Sequence, residues 1–272
     1  MWYRLKKWAR KRLDTSRGWF WYAGRRIYFP PGSIIYEIVH TNGSFESHVR
    51  DRMISLARDG SYVFDIGANI GLMAIPLLVR KPSIRIVSME AGPNVFRYLQ
   101  RTHDGIPENE RWLLRNQAAA DSVGELEFHE CVGGKDALSG ICDTRRGGES
   151  RCIRVPSVTV DSVWQELGCP DVSVMKIDVE GAELKVLQGA SQCIRTVQPA
   201  LIVEWWPPNF RAYGANASDL LKFACEAGYR VFSARYLSAM NDVCELSFHH
   251  AVGEEDFVLI PLVSDSQGMA RV

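Results

Sequence analysis

The residues best suited to chemistry lie in three short stretches, each closing an apolar run. The first reads Asp65-Ile66-Gly67-Ala68-Asn69-Ile70-Gly71. Asp65 is placed to accept a hydrogen bond from a cationic or amide donor. Gly67 permits a sharp turn and close approach of a ligand to the backbone, and Gly71 lets the following helix start against a sheet. The second stretch ends in Glu90-Ala91, where one bidentate carboxylate suits the two ribose hydroxyls of an adenosine. The glycines are spaced GxxxG, and neither the GxGxxG of a dinucleotide site nor GxxxxGK[ST] occurs. A small-residue turn with no pyrophosphate cradle, beside a ribose-binding carboxylate, describes a pocket for S-adenosylmethionine, which has no phosphate.

The third stretch is Asp178-Val179-Glu180-Gly181, with Glu204 further along, ahead of Trp205-Trp206-Pro207-Pro208. Methyl transfer from a sulfonium is an in-line displacement, so acceptor, methyl and sulfur must be held close to collinear. An alcohol is a poor nucleophile until its proton is leaving, which calls for a placed base. Asp178 is the first candidate for base or acceptor-orienting group, and Glu180 the second. Glu183 is either functional or an ordinary acid in a helix's first turn. Glu204 is placed to face Asp178 across the pocket mouth. Such a pair has the chemistry to hold a divalent cation, but carboxylates near a sulfonium need no metal to explain them, and none is assigned. Trp205 and Trp206 either wall the methyl site or pack under a loop. Glu46 is a candidate to close over the acceptor, whereas His40, His48 and His129 read as loop histidines, more often solvated than catalytic.

Strand ends must be brought together to position these groups. From residue 60 short β-branched runs alternate with helical stretches: strands at 62–66, 84–89, 112–118, 172–178 and 200–204, then near 230–234 and 256–260. Helices are expected over 69–80, 92–102, 158–167, 182–192 and 217–227. This α/β alternation implies a mostly parallel sheet with helices on both faces, and ligands bind such sheets at the carboxyl ends of the strands. A polar, Gly-rich insert at 129–151 breaks the pattern, either joining two antiparallel strands or forming a loop.

The segments VFDIGANIGLMAI (63–75), SMEAGPNVFRYLQ (88–100), NQAAADSVGELEF (116–128), VPSVTVDSV (155–163), KIDVEGAELKVLQGA (176–190) and PALIVE (199–204) resemble the FkbM-type methyltransferase family, as does GSFESHV (43–49). The likeness covers roughly 43–234. It implies a Rossmann-like class I methyltransferase fold, with a seven-stranded sheet whose last strand is reversed. It also implies S-adenosylmethionine as cofactor and methyl transfer to a hydroxyl of a saccharide, glycolipid or polyketide-type acceptor. Matched position by position, Asp65, Gly67, Asn69 and Gly71, with Ala68 between them, fall in the cofactor turn. Glu90, followed by Ala91, falls at the ribose carboxylate. Asn116 and Ala119 fall where the adenine edge is met, and Asp178, Glu180 and Glu183 match the acidic signature.

The resemblance leaves residues 1–40 and the insert without counterpart, and acceptor choice is expected to reside there. The composition is that of a globular protein, with 46% hydrophobic and 24% charged residues. Net charge is zero overall, but residues 1–26 hold nine basic residues and one acid, so a basic arm sits on an acidic body. Residues 2–13 place Trp2, Leu5, Trp8 or Ala9, and Leu13 at helical spacing with Lys and Arg opposite, and aromatic 19–29 ends at Pro30-Pro31. Such an arm either lies on an anionic membrane surface or packs over one edge of the domain. The expected units are the arm at 1–42, the methyltransferase domain at 43–264 and a tail at 265–272.

Seven cysteines without a CxxC pair read as reduced thiols, and no apolar run reaches the roughly 18 residues of a membrane span. Arg25 and Arg26 interrupt what would be the apolar core of a signal peptide. A cytoplasmic protein, peripheral at the inner membrane surface through residues 1–26, is therefore expected. Nucleic acid is a disfavoured partner, because Asp178-Val179-Glu180-Gly181 replaces the Asn/Asp-Pro-Pro-aromatic motif of base methylation. The alternatives are N-methylation of nucleic acid or another small molecule, and a non-catalytic cofactor-binding scaffold. Oligomeric state and acceptor identity are not encoded in these patterns.

Overall fold

The computed structural model describes residues 2–131, 133, 138–141, 149–264 and 270–271. Most of the 129–151 insert, including Cys142, most of the 265–272 tail and the side chain of Trp2 lie outside the described residues. No disulfide joins the described cysteines. The chain opens with α1 (Trp2–Arg17), a hairpin of β1 (Trp19–Tyr22) and β2 (Arg25–Tyr28), then α2 (Ile34–Asn42) and α3 (Ser47–Leu56). Alternation begins with β3 (Tyr62–Ile66), α4 (Ala74–Arg80), β4 (Arg85–Met89), α5 (Pro93–Asp104) and β5 (Trp112–Arg115). Next come β6 (Ala118–Ala119), β7 (Gly124–Cys131), β8 (Ser150–Val158) and α6 (Val160–Glu166). These are followed by β9 (Val172–Ile177), α7 (Glu183–Gly189), α8 (Ser191–Val197) and β10 (Ala200–Glu204). The last elements used below are α9 (Pro207–Phe210), α10 (Ala217–Ala227), β11 (Tyr229–Ser233), β12 (Ala239–Met240), α11 (Val243–Ala251) and β13 (Asp256–Pro261).

The main sheet runs β12-β11-β13-β10-β9-β3-β4-β5. Pairings β5–β4–β3–β9–β10 are parallel, and β13 runs antiparallel between β10 and β11. This is the Rossmann-like class I methyltransferase topology with its reversed last strand. The expected count of seven is corrected to eight, because the two-residue β12 adds to the outer edge of β11. So short a strand contributes no apolar run of its own to the sequence.

Alternate residues of each central strand enter opposite layers, as the two-residue period of a strand demands. Val63, Ile86, Val174, Ile202 and Val258 join the layer of α2–α5, together with Phe20, Ile27 and Phe29 of the hairpin region. Phe64, Val87, Met175, Leu201 and Leu259 join the layer of α6–α8, α10 and α11. Burial on both faces makes these strands mostly apolar, as expected of parallel strands, with Asp65, Ser88, Ser173 and Lys176 as buried polar exceptions.

The strand expected at 112–118 is split, since Ala118–Ala119 leaves the main sheet to pair with β8 in a three-stranded sheet ordered β6-β8-β7. Strands β7 and β8 are antiparallel from Gly124↔Ser157 to Cys131↔Ser150, so the insert joins two antiparallel strands whose ends it overlaps. The helix expected over 182–192 is two helices. The second begins at Ser191, where the Asp161 carboxylate accepts from the backbone N–H groups of Gln192 and Cys193 at 2.9 and 2.8 Å.

Candidate active site

The carboxyl ends of β4, β3, β9 and β10 open on one cleft. It has about 1290 Å³ of atom-free space counted out to its mouth, open solvent included. At the β3 end, the N–H groups of Gly67 and Ala68 both donate to the Met89 carbonyl, at 2.9 and 3.0 Å. A Cβ on Gly67 would lie 1.7 Å from the Asp178 carbonyl oxygen, and its φ is +80°. Only glycine allows the tips of β3 and β9 to approach so closely. Gly71 faces away from the cleft; a Cβ there would meet Trp112 at 2.7 Å and Leu99 at 2.9 Å.

Glu90 is buried and held from two sides: Oε2 accepts from the Asn69 N–H at 2.9 Å and Oε1 from the Gly92 N–H at 2.7 Å. These two bonds fix the orientation of the carboxylate. The Asn116 amide donates to the carbonyls of Glu90 and Ala91 at 2.8 and 3.3 Å and fixes their loop. Asn69 has φ +47°, and its Oδ1 is buried with no partner among the described residues. Ala91, Ala118, Ala119, Gln117 and Phe128 line this end.

Two strands across, Asp178 follows β9, Glu180 follows two residues on and Glu204 ends β10. One carboxylate oxygen from each lies within 4.8 Å of the others. Lys176 donates to Asp178 Oδ2 at 2.8 Å. Burial pulls the Lys176 ammonium down, but Asp178, Asp65 and Glu46 outweigh it and hold the group above its ordinary value. The Asn209 amide donates to Glu180 Oε2 and to Glu204 Oε2, both at 2.9 Å. Burial, then Asp178 and Glu180, push the Glu204 carboxyl well above the ordinary carboxylate range. Glu46 lines the same cleft, and burial with Asp256 and Asp178 pushes it up likewise.

Three non-glycine residues of this cleft have positive φ: Glu46 at 35°, Asn69 at 47° and Glu180 at 56°. Strained backbone of this kind persists only where surrounding contacts enforce it, and it concentrates at functional sites. At Glu180 the enforcing contacts are visible, since Glu183 Oε1 accepts from the N–H groups of Val179 and Gly181 at 3.1 and 3.0 Å.

Of the residues singled out in the sequence, Gly67, Ala68, Asn69, Glu90, Ala91, Ala119, Asp178, Glu180 and Glu204 line the cleft. Asp65, Gly71 and Asn116 do not. Asp65 is fully buried beneath it, accepts from Ser88 Oγ at 3.4 Å, and is raised by its burial. Trp205 is buried and stacks on Phe210 at 4.6 Å, and neither it nor Trp206 reaches the cleft. His40, His48 and His129 are also outside it; His48 pairs with Asp256 at 3.0 Å. Sequence reasoning missed Lys176 and Asn209. It also missed the apolar wall from α2, Ile34, Ile35 and Ile38, whose only signal is an apolar run ahead of the first strand.

Residues 65–231 match the methyltransferase FkbM domain. The chain is 25% identical over 213 residues to the methyltransferase sdnD of Sordaria araneosa, covering 69% of this chain and 81% of that one. It is 24% identical over 182 residues to the hexuronic acid methyltransferase AglP of Haloferax volcanii, covering 67% and 69%. It is 26% identical over 151 residues to the 2-O-methyltransferase NoeI of Sinorhizobium fredii, covering 51% of this chain and 61% of that relative. With the matched domain spanning the cleft and most of the sheet, the chain belongs to the FkbM family of S-adenosylmethionine-dependent methyltransferases.

Proposed function

We propose that the chain methylates a hydroxyl of a saccharide, glycolipid or polyketide-type acceptor, with S-adenosylmethionine seated across the ends of β3 and β4. The observation that carries this reading is that Glu90 and the Asp178–Glu180–Glu204 group open on one continuous cleft. The donor set suits the cofactor. Glu90 offers oriented acceptors for ribose hydroxyls, the partnerless Asn69 Oδ1 offers one for an amino group, and the acid excess suits a cationic sulfur. Support for a hydroxyl of a saccharide comes from the relatives' names, one a hexuronic acid methyltransferase and another a 2-O-methyltransferase.

When bound, S-adenosylmethionine supplies a methyl group on a sulfonium. Glu90 would hold the ribose end, and Phe128, Ala118 and Ala119, which line the cleft beside it, would supply an apolar wall for a flat ring. Asp178, oriented by Lys176, receives or orients the acceptor's proton. Glu180 and Glu204, clamped by one Asn209 amide, fix the acceptor's angle. Positioning of this kind is worth several kcal/mol, and a placed base about 10²–10⁴-fold.

A lipid-linked acceptor is favoured by the arm. Trp8 and Trp21 are 56% and 53% exposed, the Arg12 guanidinium lies over Trp8, and that of Arg26 lies over both Trp19 and Trp21. Helix α1 is tied to α2 by Lys11–Glu37 and Tyr36–Asp14 contacts, and α2 also walls the cleft. No helix among the described residues is long and apolar enough to cross a membrane, so such contact is peripheral. Calorimetric titration with S-adenosylhomocysteine, followed by a methylation screen of hydroxylated saccharides and glycolipid extracts, tests the reading. Absence of cofactor binding overturns it.

A further inference from the structure

Outside the cleft, one chain of hydrogen bonds runs from a buried acid to an exposed hydroxyl. Glu254, between α11 and β13, is buried, and its Oε2 lies 2.7 Å from His249 Nδ1. A carboxylate only accepts, so in the neutral ring the Nδ1 hydrogen lies between them and Nε2 keeps its lone pair. That nitrogen lies 3.1 Å from Ser238 Oγ, within the reach of a general base. The other Glu254 oxygen accepts from the Ser233 hydroxyl and the Arg235 N–H, at 2.5 and 2.9 Å, so the acid that orients the imidazole is itself fixed. None of Ser238, His249 and Glu254 lines the cofactor cleft.

Three features go beyond a structural tie between α11 and β11. Ser238 is exposed while His249 and Glu254 are buried, so the hydroxyl is the end of the chain that a ligand meets. Leu237, just before it, is held at φ 56°, and strained backbone of this kind concentrates at functional sites. The Ser238 carbonyl accepts from the Ser233 N–H at 2.9 Å, so by antiparallel alternation the N–H of Ala239, on the edge strand β12, turns outward from the sheet. The N–H of the residue after a nucleophile is a usual donor to an oxyanion. The exposed rings of Tyr236 and Phe248, centred 6.1 and 5.8 Å from the His249 ring, give the hydroxyl an apolar rim.

We infer that Ser238, His249 and Glu254 form a second reactive centre, a nucleophilic serine that takes the acyl group of an ester with an apolar acyl chain. Such a triad is recognised by geometry and roles rather than by order in the chain. Ser238 Oγ bonds to the ester carbonyl carbon while its proton passes to His249 Nε2. The bond to the alcohol oxygen then breaks, and that oxygen leaves with the proton. Water attacks the acyl-serine by the same route: its proton goes to Nε2 and returns to Ser238 Oγ as the carboxylic acid departs. Glu254 touches no substrate and is a positioning residue. The centre does not depend on the methyl-transfer reading.

The test treats the full chain with an alkyl fluorophosphonate, which phosphonylates an activated serine and releases fluoride. One label per chain is expected, on the peptide bearing Ser238, and none after heat denaturation. Ser238→Ala, at an exposed position, should abolish labelling while leaving Tm and S-adenosylhomocysteine affinity unchanged. His249→Gln should slow it about 10²–10⁴-fold. Glu254→Gln should slow it in a chain that still binds S-adenosylhomocysteine like the wild type. p-Nitrophenyl butyrate gives a second measurement: a burst of one nitrophenolate per chain from the wild type, absent in Ser238→Ala. A wild-type chain labelled no faster than its denatured form overturns the inference. So does label spread over other serines, an undiminished burst in Ser238→Ala, or wild-type labelling in His249→Gln.

Discussion

Glu90 couples the cofactor end of the cleft to the backbone that shapes it, since its carboxylate accepts from the Asn69 and Gly92 N–H groups. Glu90→Gln keeps an acceptor oxygen and a donor of similar shape but removes the charge, and charge-assisted hydrogen bonds contribute about 1.5–3 kcal/mol. S-adenosylhomocysteine is expected to bind roughly 10–100-fold more weakly by calorimetry, with a loss of about 1–3 kcal/mol in unfolding free energy, because the new NH2 group faces one of the two N–H groups that Glu90 accepts from. Glu90→Ala also strands the N–H groups of Asn69 and Gly92 and should lower stability as well. At the other end of the cleft, Asp178→Asn should leave that affinity unchanged and reduce turnover by about 10²–10⁴-fold. Glu183 carries a pH prediction. Burial pushes its carboxyl up to about 7, although the N–H groups of Gly181 and Val179 favour the charged form. Unfolded, the group titrates near about 4.3. Folding therefore favours the protonated form: its contribution is complete below about pH 4 and is lost as pH rises through about 7. Glu183→Gln retains an acceptor for both N–H groups and cannot ionise. Urea unfolding should show wild-type stability falling by a few kcal/mol between about pH 4 and pH 8 relative to this variant.

Among elements, the decisive contact is between the turn after β3 and the end of β9. Gly67→Ala drives a methyl group into the Asp178 carbonyl at a φ that alanine resists, so both strand tips must move. A loss of about 3 kcal/mol or more in unfolding free energy is expected, with loss of cofactor affinity. This turn was legible because its glycine, its strand and Glu90 are local signals, and β3, β4, β9 and β10 are apolar runs of strand length. Helices α2 and α3 went unassigned. In α2 the apolar Ile35, Tyr36 and Val39 are buried in the core while Ile34 and Ile38, with one side of Ile35, line the cleft, so no single apolar stripe marks a helix. The start of α8 is set by Asp161, from another helix, and no pattern within 182–197 announces it. The same holds in the site. Asp178, Glu180 and Glu204 stand at strand ends and can be found by position, whereas Asn209 and Lys176 acquire meaning only when β9, β10 and α9 meet.

At the scale of the molecule, the N-terminal segment divides into two parts with different physical roles. The hairpin belongs to the core: Phe20, Ile27 and Phe29 are buried, Tyr28 N–H donates to Thr102 Oγ1 at 3.0 Å, and Arg25 pairs with Glu108. Each such large apolar side chain contributes about 1.5–3 kcal/mol on burial, so losing the group approaches the whole stability of a domain, about 5–15 kcal/mol. Helix α1 instead leaves Trp8 and Leu13 exposed among basic residues. A chain lacking residues 1–17 should therefore still unfold cooperatively, with Tm only slightly lowered, whereas one lacking 1–30 should not fold. Although Lys11 and Asp14 tie the helix to α2, Trp8 and Leu13 point away from the domain. Near an anionic bilayer each Lys or Arg contributes about 1 kcal/mol, an attraction that fades within a Debye length. Co-sedimentation with phosphatidylserine vesicles is accordingly expected at low salt, diminished by added salt, absent with neutral vesicles, and reduced by Trp8→Ala with Trp21→Ala. If deletion of residues 1–17 leaves that binding unchanged, α1 is a packing element and the lipid-linked acceptor loses its support, while the cofactor cleft, built by β3, β4, β9 and β10, is unaffected.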